Sequence, residues 1–179
     1  RRFNKKKTQL NSNNTKSIGN KISIAGNFSN DSDIRNSVEN ELFEIGSQFE
    51  KHNLKFQGPA FGPIFDEIEI SNLINSSKLF HYSGHFIDGE NNGWKINSNT
   101  NFNIGSFKKL NSIPNFIFSN TCGNNSKEIY SDFFSNLHEL GVENIIHTTG
   151  KLNTEFSKIF ANLFYYEFLN GNDISNSLK

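Results

Sequence analysis

One thiol and one imidazole, each at the end of an apolar run, are the side chains of this sequence best suited to covalent chemistry. Cys122 is the only cysteine. It follows Phe116-Ile117-Phe118 in the segment Ser119-Asn120-Thr121-Cys122-Gly123-Asn124, where a strand should give way to a loop. Upstream, Lys78-Leu79-Phe80-His81-Tyr82-Ser83-Gly84-His85 is a second short strand signal, and it also ends in histidine. Both residues would leave parallel strands at their carboxyl ends, the edge of an open α/β sheet where ligand crevices form. A thiolate placed there can attack a carbonyl, and an imidazole within hydrogen-bond reach can take and return the proton. Gly84 and Gly123 would let the backbone turn sharply beside each group. The amides of Phe86 and Cys122 are the candidate donors to an oxyanion.

Other histidines and aromatics have simpler explanations. A free cysteine taken alone is more often a small buried hydrophobe than a nucleophile; its place after a strand, beside glycine and matched by the histidine motif, turns the balance toward catalysis. His81, next to Phe80 inside the strand signal, reads as a satisfied core histidine or one that supports the site from behind. His81 and His85 have H-x-x-x-H spacing. Across a strand and turn that spacing does not put both rings on one helical face, and the glutamate of the zinc-peptidase motif is missing, so no metal is expected. His52 and His138 fall at helix ends and His147 ends a strand, positions that suit surface or capping groups. Asp88 and Glu90 read first as charges on a solvated loop, with substrate contact as the alternative. Trp94 reads as packing near the site, again with substrate contact as the lesser alternative.

The elements that must carry these residues follow from composition and period. A chain of 179 residues holds one full hydrophobic core and scarcely two. Lys plus Arg and Asp plus Glu both number 18, so no global field draws the chain to nucleic acid or an anionic membrane. One cysteine excludes an intramolecular disulfide, no apolar run approaches the roughly 18 residues of a bilayer span, and none near the start resembles a secretory signal. The cytoplasm is the expected compartment. The sequence starts at Arg1, contains no Met and reads as an excised piece. Asparagine makes up about a sixth of it, a bias that points to an AT-rich genome rather than to function.

Residues 1–20, with Lys5-Lys6-Lys7 and few apolar side chains, read as a disordered tail or linker, and residues 21–179 as one domain. Ile22 and Ile24 predict a strand ending at Gly26. Ile34, Val38, Leu42, Ile45 and Phe49 predict an amphipathic helix with Asp31 or Ser32 as its cap. A brief strand at Leu54–Phe56 is expected, then a loop through Gly58-Pro59-Ala60-Phe61-Gly62-Pro63, and a helix over Ile64–Ile74. The strand Lys78–Tyr82 and an extended piece at Trp94–Ile96 come next, then the strand Asn115–Phe118. A helix over Ser126–Leu140 precedes a strand at Asn144–His147. The last helix carries Phe156, Ile159, Phe160, Leu163 and Phe164 at helical spacing, a stripe expected to be core. Such alternation predicts parallel strands joined by right-handed crossovers, with helices on both faces.

The strings HYSGHF, FIFSNTCGN and GVENII, with the polar stretch containing Trp94 and the helix ending LNGNDISNSL, resemble a CHAT domain. This branch of the caspase-like cysteine peptidases is related to separase, the gingipains and the caspases. The resemblance covers roughly Ile22 to Leu178. It implies an α/β, three-layer caspase-like fold with a mostly parallel central sheet, His85 as the catalytic histidine and Cys122 as the nucleophile. It further implies a protein or peptide substrate, no cofactor, and regulation by helical repeats or a partner protein outside this segment. Two positions depart from the family. Phe86 stands where glycine usually follows the catalytic histidine, and Asn120 stands two residues before the cysteine, where members that cut after Lys or Arg can carry a carboxylate. Asp88, Trp94 and Asn120 are thus the candidate substrate contacts, without a commitment to basic specificity. The alternative function is a catalytically inactive CHAT-like interaction or signalling module. A flavodoxin-like binding domain is weaker, because Gly26-Asn27-Phe28 is too sparse to cradle phosphate.

Overall fold

A computed structural model describes Gly19 and residues 21–27, 32–62, 65–87, 89, 91–122, 127–148 and 153–178. Apart from Gly19, the expected tail lies outside these residues, as do Asp31, Asp88, Glu90 and Gly123. The elements run β1 (Ile22–Gly26), α1 (Ser32–Lys51), β2 (Phe56–Ala60), α2 (Glu67–Ser76), β3 (Leu79–Ile87), β4 (Gly93–Lys95), β5 (Asn101–Asn103), α3 (Ile104–Phe107), β6 (Phe116–Cys122), α4 (Lys127–Glu139), β7 (Asn144–His147), α5 (Thr154–Leu169) and α6 (Ile174–Ser177).

Five parallel strands form the central sheet in the order β2-β1-β3-β6-β7, and the antiparallel pair β4-β5 extends from the carboxyl-terminal part of β3. Successive strand side chains alternate between faces, and the two cores sort by that parity. Leu79, Phe116 and Phe118 meet Val38, Leu42, Ile45 and Phe49 of α1 and Phe164, Tyr165 and Phe168 of α5 on one face. Phe80, Tyr82, Phe86 and Ile117 meet Ile70 and Ile74 of α2 and Phe133 and Leu137 of α4 on the other. The result is the expected α/β architecture, a mostly parallel sheet between two helical layers, compatible with a caspase-like fold. Among the described residues no helix is long and apolar enough to cross a membrane.

Four expectations change. The loop expected at Gly58-Pro59-Ala60 belongs to β2, which pairs only with β1; proline is tolerated on such an edge strand because no second neighbour needs its missing N–H. Instead of reaching back to Ile64, α2 begins at Glu67, where Asp66 accepts hydrogen bonds from the amides of Ile68 and Glu69 at 2.9 Å each. Strands β3 and β6 both continue past the apolar runs that announce them, to Ile87 and Cys122. Gly84 and His85 therefore lie within a strand rather than in a turn.

The expected core stripe of α5 is its exposed face. Phe156 is 70% exposed and Leu163 58%, and Ile159 and Phe160 are also open, while Ala161, Phe164, Tyr165, Phe168 and Leu169 are buried. Both sets keep helical spacing, because α5 is apolar nearly all round. Period alone does not choose between two such stripes.

Candidate active site

The ladder between β3 and β6 sets the site. Its register aligns Leu79 with Phe116 and runs unbroken to Gly84 with Thr121 and His85 with Cys122. Strand parity then places His81, Ser83 and His85, together with Asn120 and Cys122, on the face covered by α1 and α5. Cys122 Sγ lies 3.5 Å from His85 Nδ1, and both side chains are half-buried. The predicted pair is thus brought together by backbone hydrogen bonding rather than by loops. Burial pushes the Cys122 thiol above its ordinary pKa, opposed by a smaller backbone hydrogen-bond effect that lowers it. The resting sulfur is consequently a thiol.

Directly below the pair lies a buried polar network. His81 and Glu41 are almost wholly enclosed, at 0% and 2% exposure. Glu41 Oε1 sits 2.9 Å from His81 Nε2, and Glu41 Oε2 accepts from Asn120 Nδ2 at 2.8 Å. Tyr165 reaches His81 Nδ1 at 3.2 Å, and Ser157 donates its hydroxyl proton to Asn120 Oδ1. One carboxylate from α1 therefore joins β3 and β6, while two residues of α5 lock the histidine and the asparagine. Burial, with the Glu41 charge adding to it, holds the Tyr165 phenol well above its ordinary pKa.

This network forms part of a cleft of about 340 Å³, open to solvent, beside the sulfur. Ile34, Ser37 and Val38 make its wall along α1, Ser83 and Gly84 its strand side, and Glu41, Asn120 and Ser157 the polar part next to Cys122. Gly84 is required here by close approach: a Cβ would stand 2.8 Å from Asn27 Cβ and 3.2 Å from the Tyr82 hydroxyl.

The remaining predicted residues divide. Asn120 lines the cleft, as a substrate contact should. Trp94 does not: it is fully buried, stacked on Tyr82 and Phe80, and its indole donates to Ser119 Oγ at 2.9 Å. The packing alternative holds for it, and no substrate can touch it from the cleft. Asp88 lies outside the described residues. Phe86 sits in β3 opposite Trp94, with its ring against Phe133 and Phe134 on the face away from the sulfur. Its φ is not positive, so the missing glycine leaves ordinary strand geometry.

His81 is the supporting core histidine expected. His52 and His138 bond the carbonyls of Gln48 and Val142 at helix ends. His147 stacks on Phe134, and burial lowers its pKa, with a hydrogen bond to Thr148 opposing and His138 assisting.

Glu41 and Ser157 escaped the sequence reasoning. Glu41 did leave a signal, a glutamate at i+3 from Val38 and i−4 from Ile45 on the apolar face of its helix. Ser157 extends the buried stripe of α5 by one turn, but serine in a first helical turn carries no comparable mark. Comparison with protein-family models and with curated proteins returns no match.

Proposed function

We propose that this chain is a caspase-like cysteine endopeptidase with Cys122 as nucleophile and His85 as its proton partner. The observation that carries the proposal is the 3.5 Å approach of Sγ to Nδ1 at paired strand ends beside an open cleft. The CHAT resemblance of the same residues supports it. Because the resting sulfur is a thiol, its proton passes to His85 Nδ1 as sulfur bonds to the scissile carbonyl carbon. The oxyanion falls to the main-chain amides of Cys122 and Phe86. The C–N bond then breaks as His85 returns the proton to the departing amine. Water gives a proton to His85 and attacks the thioester, the C–S bond breaks, and sulfur regains its proton. No cofactor enters these steps. The substrate is an extended segment of another protein laid along the sheet edge, and regulation by helical repeats or a partner protein accords with the resemblance.

A mass-spectrometric peptide-library screen of wild type, Cys122→Ala and His85→Ala tests this. Cleavage should vanish in the first variant and fall about 10²–10⁴-fold in the second. Products that persist with Cys122→Ala would overturn the assignment. The raised thiol favours one second reading, a CHAT-like interaction or signalling module without catalysis. It predicts no cleavage by wild type and alkylation of Cys122 that His85→Ala leaves unchanged.

A further inference from the structure

The cleft beside Cys122 has used up most of its donors and kept its acceptors. Asn120 Nδ2 has two protons, and they point to Glu41 Oε2 and to the Ser157 carbonyl, the latter at 3.3 Å. The Ser157 hydroxyl proton goes to Asn120 Oδ1. Tyr165 is fully buried, and its hydroxyl meets His81 Nδ1. A buried phenol must hand its proton to an acceptor. Nδ1 is therefore unprotonated, and the proton of His81 sits on Nε2, where it donates to Glu41 Oε1. Histidine in this tautomer is neutral.

Glu41 is thus met by two neutral donors, His81 and Asn120, and its negative charge stays in place. A nearly enclosed carboxylate in that condition is stabilised most by a cation delivered through the cleft. What remains for a ligand is the outer lone pairs of Glu41 and of Ser157 Oγ, with Ser37 and Ser83 hydroxyls at the side. Ile34 and Val38 offer an apolar wall along which a methylene stem can lie while its charged head goes deeper.

Building on the peptidase assignment, we propose that this cleft takes the Lys or Arg side chain of the residue whose carbonyl Cys122 attacks, with Glu41 as the counter-charge. The carboxylate absent from position 120 is supplied from α1, and Asn120 holds it in position. Glutamate or aspartate in the same place would meet a like charge and be rejected.

The full-length chain carrying Cys122→Ala, which binds without cutting, is titrated with acetyl-Ala-Ala-Arg-Ala-Ala-amide and with the same peptide carrying neutral citrulline. The arginine form should bind about tenfold more tightly or better, and Glu41→Gln should erase the difference. Should Glu41→Gln fail to fold, Ser37→Leu at the cleft wall should weaken the arginine form selectively by obstructing its entry. Equal affinities, including no binding of either peptide, or a preference that survives these substitutions, would overturn the assignment. The library screen separates the two proposals. Cleavage that needs Cys122 yet ignores Lys and Arg sinks the cleft assignment and spares the peptidase. Arginine-selective binding without cleavage that depends on Cys122 supports the cleft and sinks the peptidase.

Discussion

Replacing Glu41 by alanine should reveal how much of the fold hangs on one carboxylate. The substitution strips the acceptor from His81 Nε2 and from Asn120 Nδ2, two donors enclosed on both sides by α1, α5 and the sheet. Each buried donor left unsatisfied costs about 1–3 kcal/mol, so the pair costs about 2–6 kcal/mol. Total stability of a domain is about 5–15 kcal/mol, so the loss should be large in a urea titration. Trp94, the single tryptophan and fully buried, is the natural fluorescent reporter. Glu41→Gln should be milder, about 1 kcal/mol. Glutamine can accept from Asn120 and donate to His81 Nε2, provided the histidine proton moves to Nδ1 and points at the Tyr165 oxygen. A loss below about 1 kcal/mol for Glu41→Ala would mean that water reaches both donors, and the enclosed network described above would be wrong.

Three further outcomes are expected. Iodoacetamide labelling of Cys122 in the folded chain should show an inflection above the value of about 8.5 for a free cysteine, because burial favours the thiol; an inflection below it would contradict that. The raised Tyr82 and Tyr165 phenols act in the same direction on stability: their contribution is complete below the unfolded value near 10 and is lost as pH climbs toward the folded values, so the urea midpoint should fall in strong alkali. Phe156→Ser with Leu163→Ser should change stability by no more than about 0.5 kcal/mol each, whereas Phe164→Ala should cost about 3–5 kcal/mol, and the reverse order would invert the faces of α5.

Much of the architecture could be read from apolar spacing. Val38, Leu42, Ile45 and Phe49 sit where the 3.6 period puts them, and the alternation of elements led correctly to a parallel sheet. The dyad was legible because strand ends in an open sheet converge on one edge, whatever lies between them in sequence. Strand limits were not, since Ser119-Asn120-Thr121 and Ser83-Gly84 look like loop. They stay in the ladder because neighbours satisfy them: Thr121 N donates to Thr148 Oγ1 at 3.1 Å, and Ser119 takes the Trp94 proton. Glu41 was hidden by its charge. A carboxylate is expected at the surface, and only the partners from β3, β6 and α5, each distant in sequence, make its burial tolerable. The two equivalent stripes of α5 could be separated only by the sheet that covers one of them.

Since His85 and Cys122 are opposite numbers in one hydrogen-bonded ladder, their separation is inherited from main-chain geometry and owes nothing to the length of the segment that links them. Residues added beyond Ile87, around Gly89, should leave sulfur and imidazole where they are. Sliding β6 along β3 by a single position would instead turn Cys122 through the sheet toward Phe133, abolishing the encounter without changing any side chain.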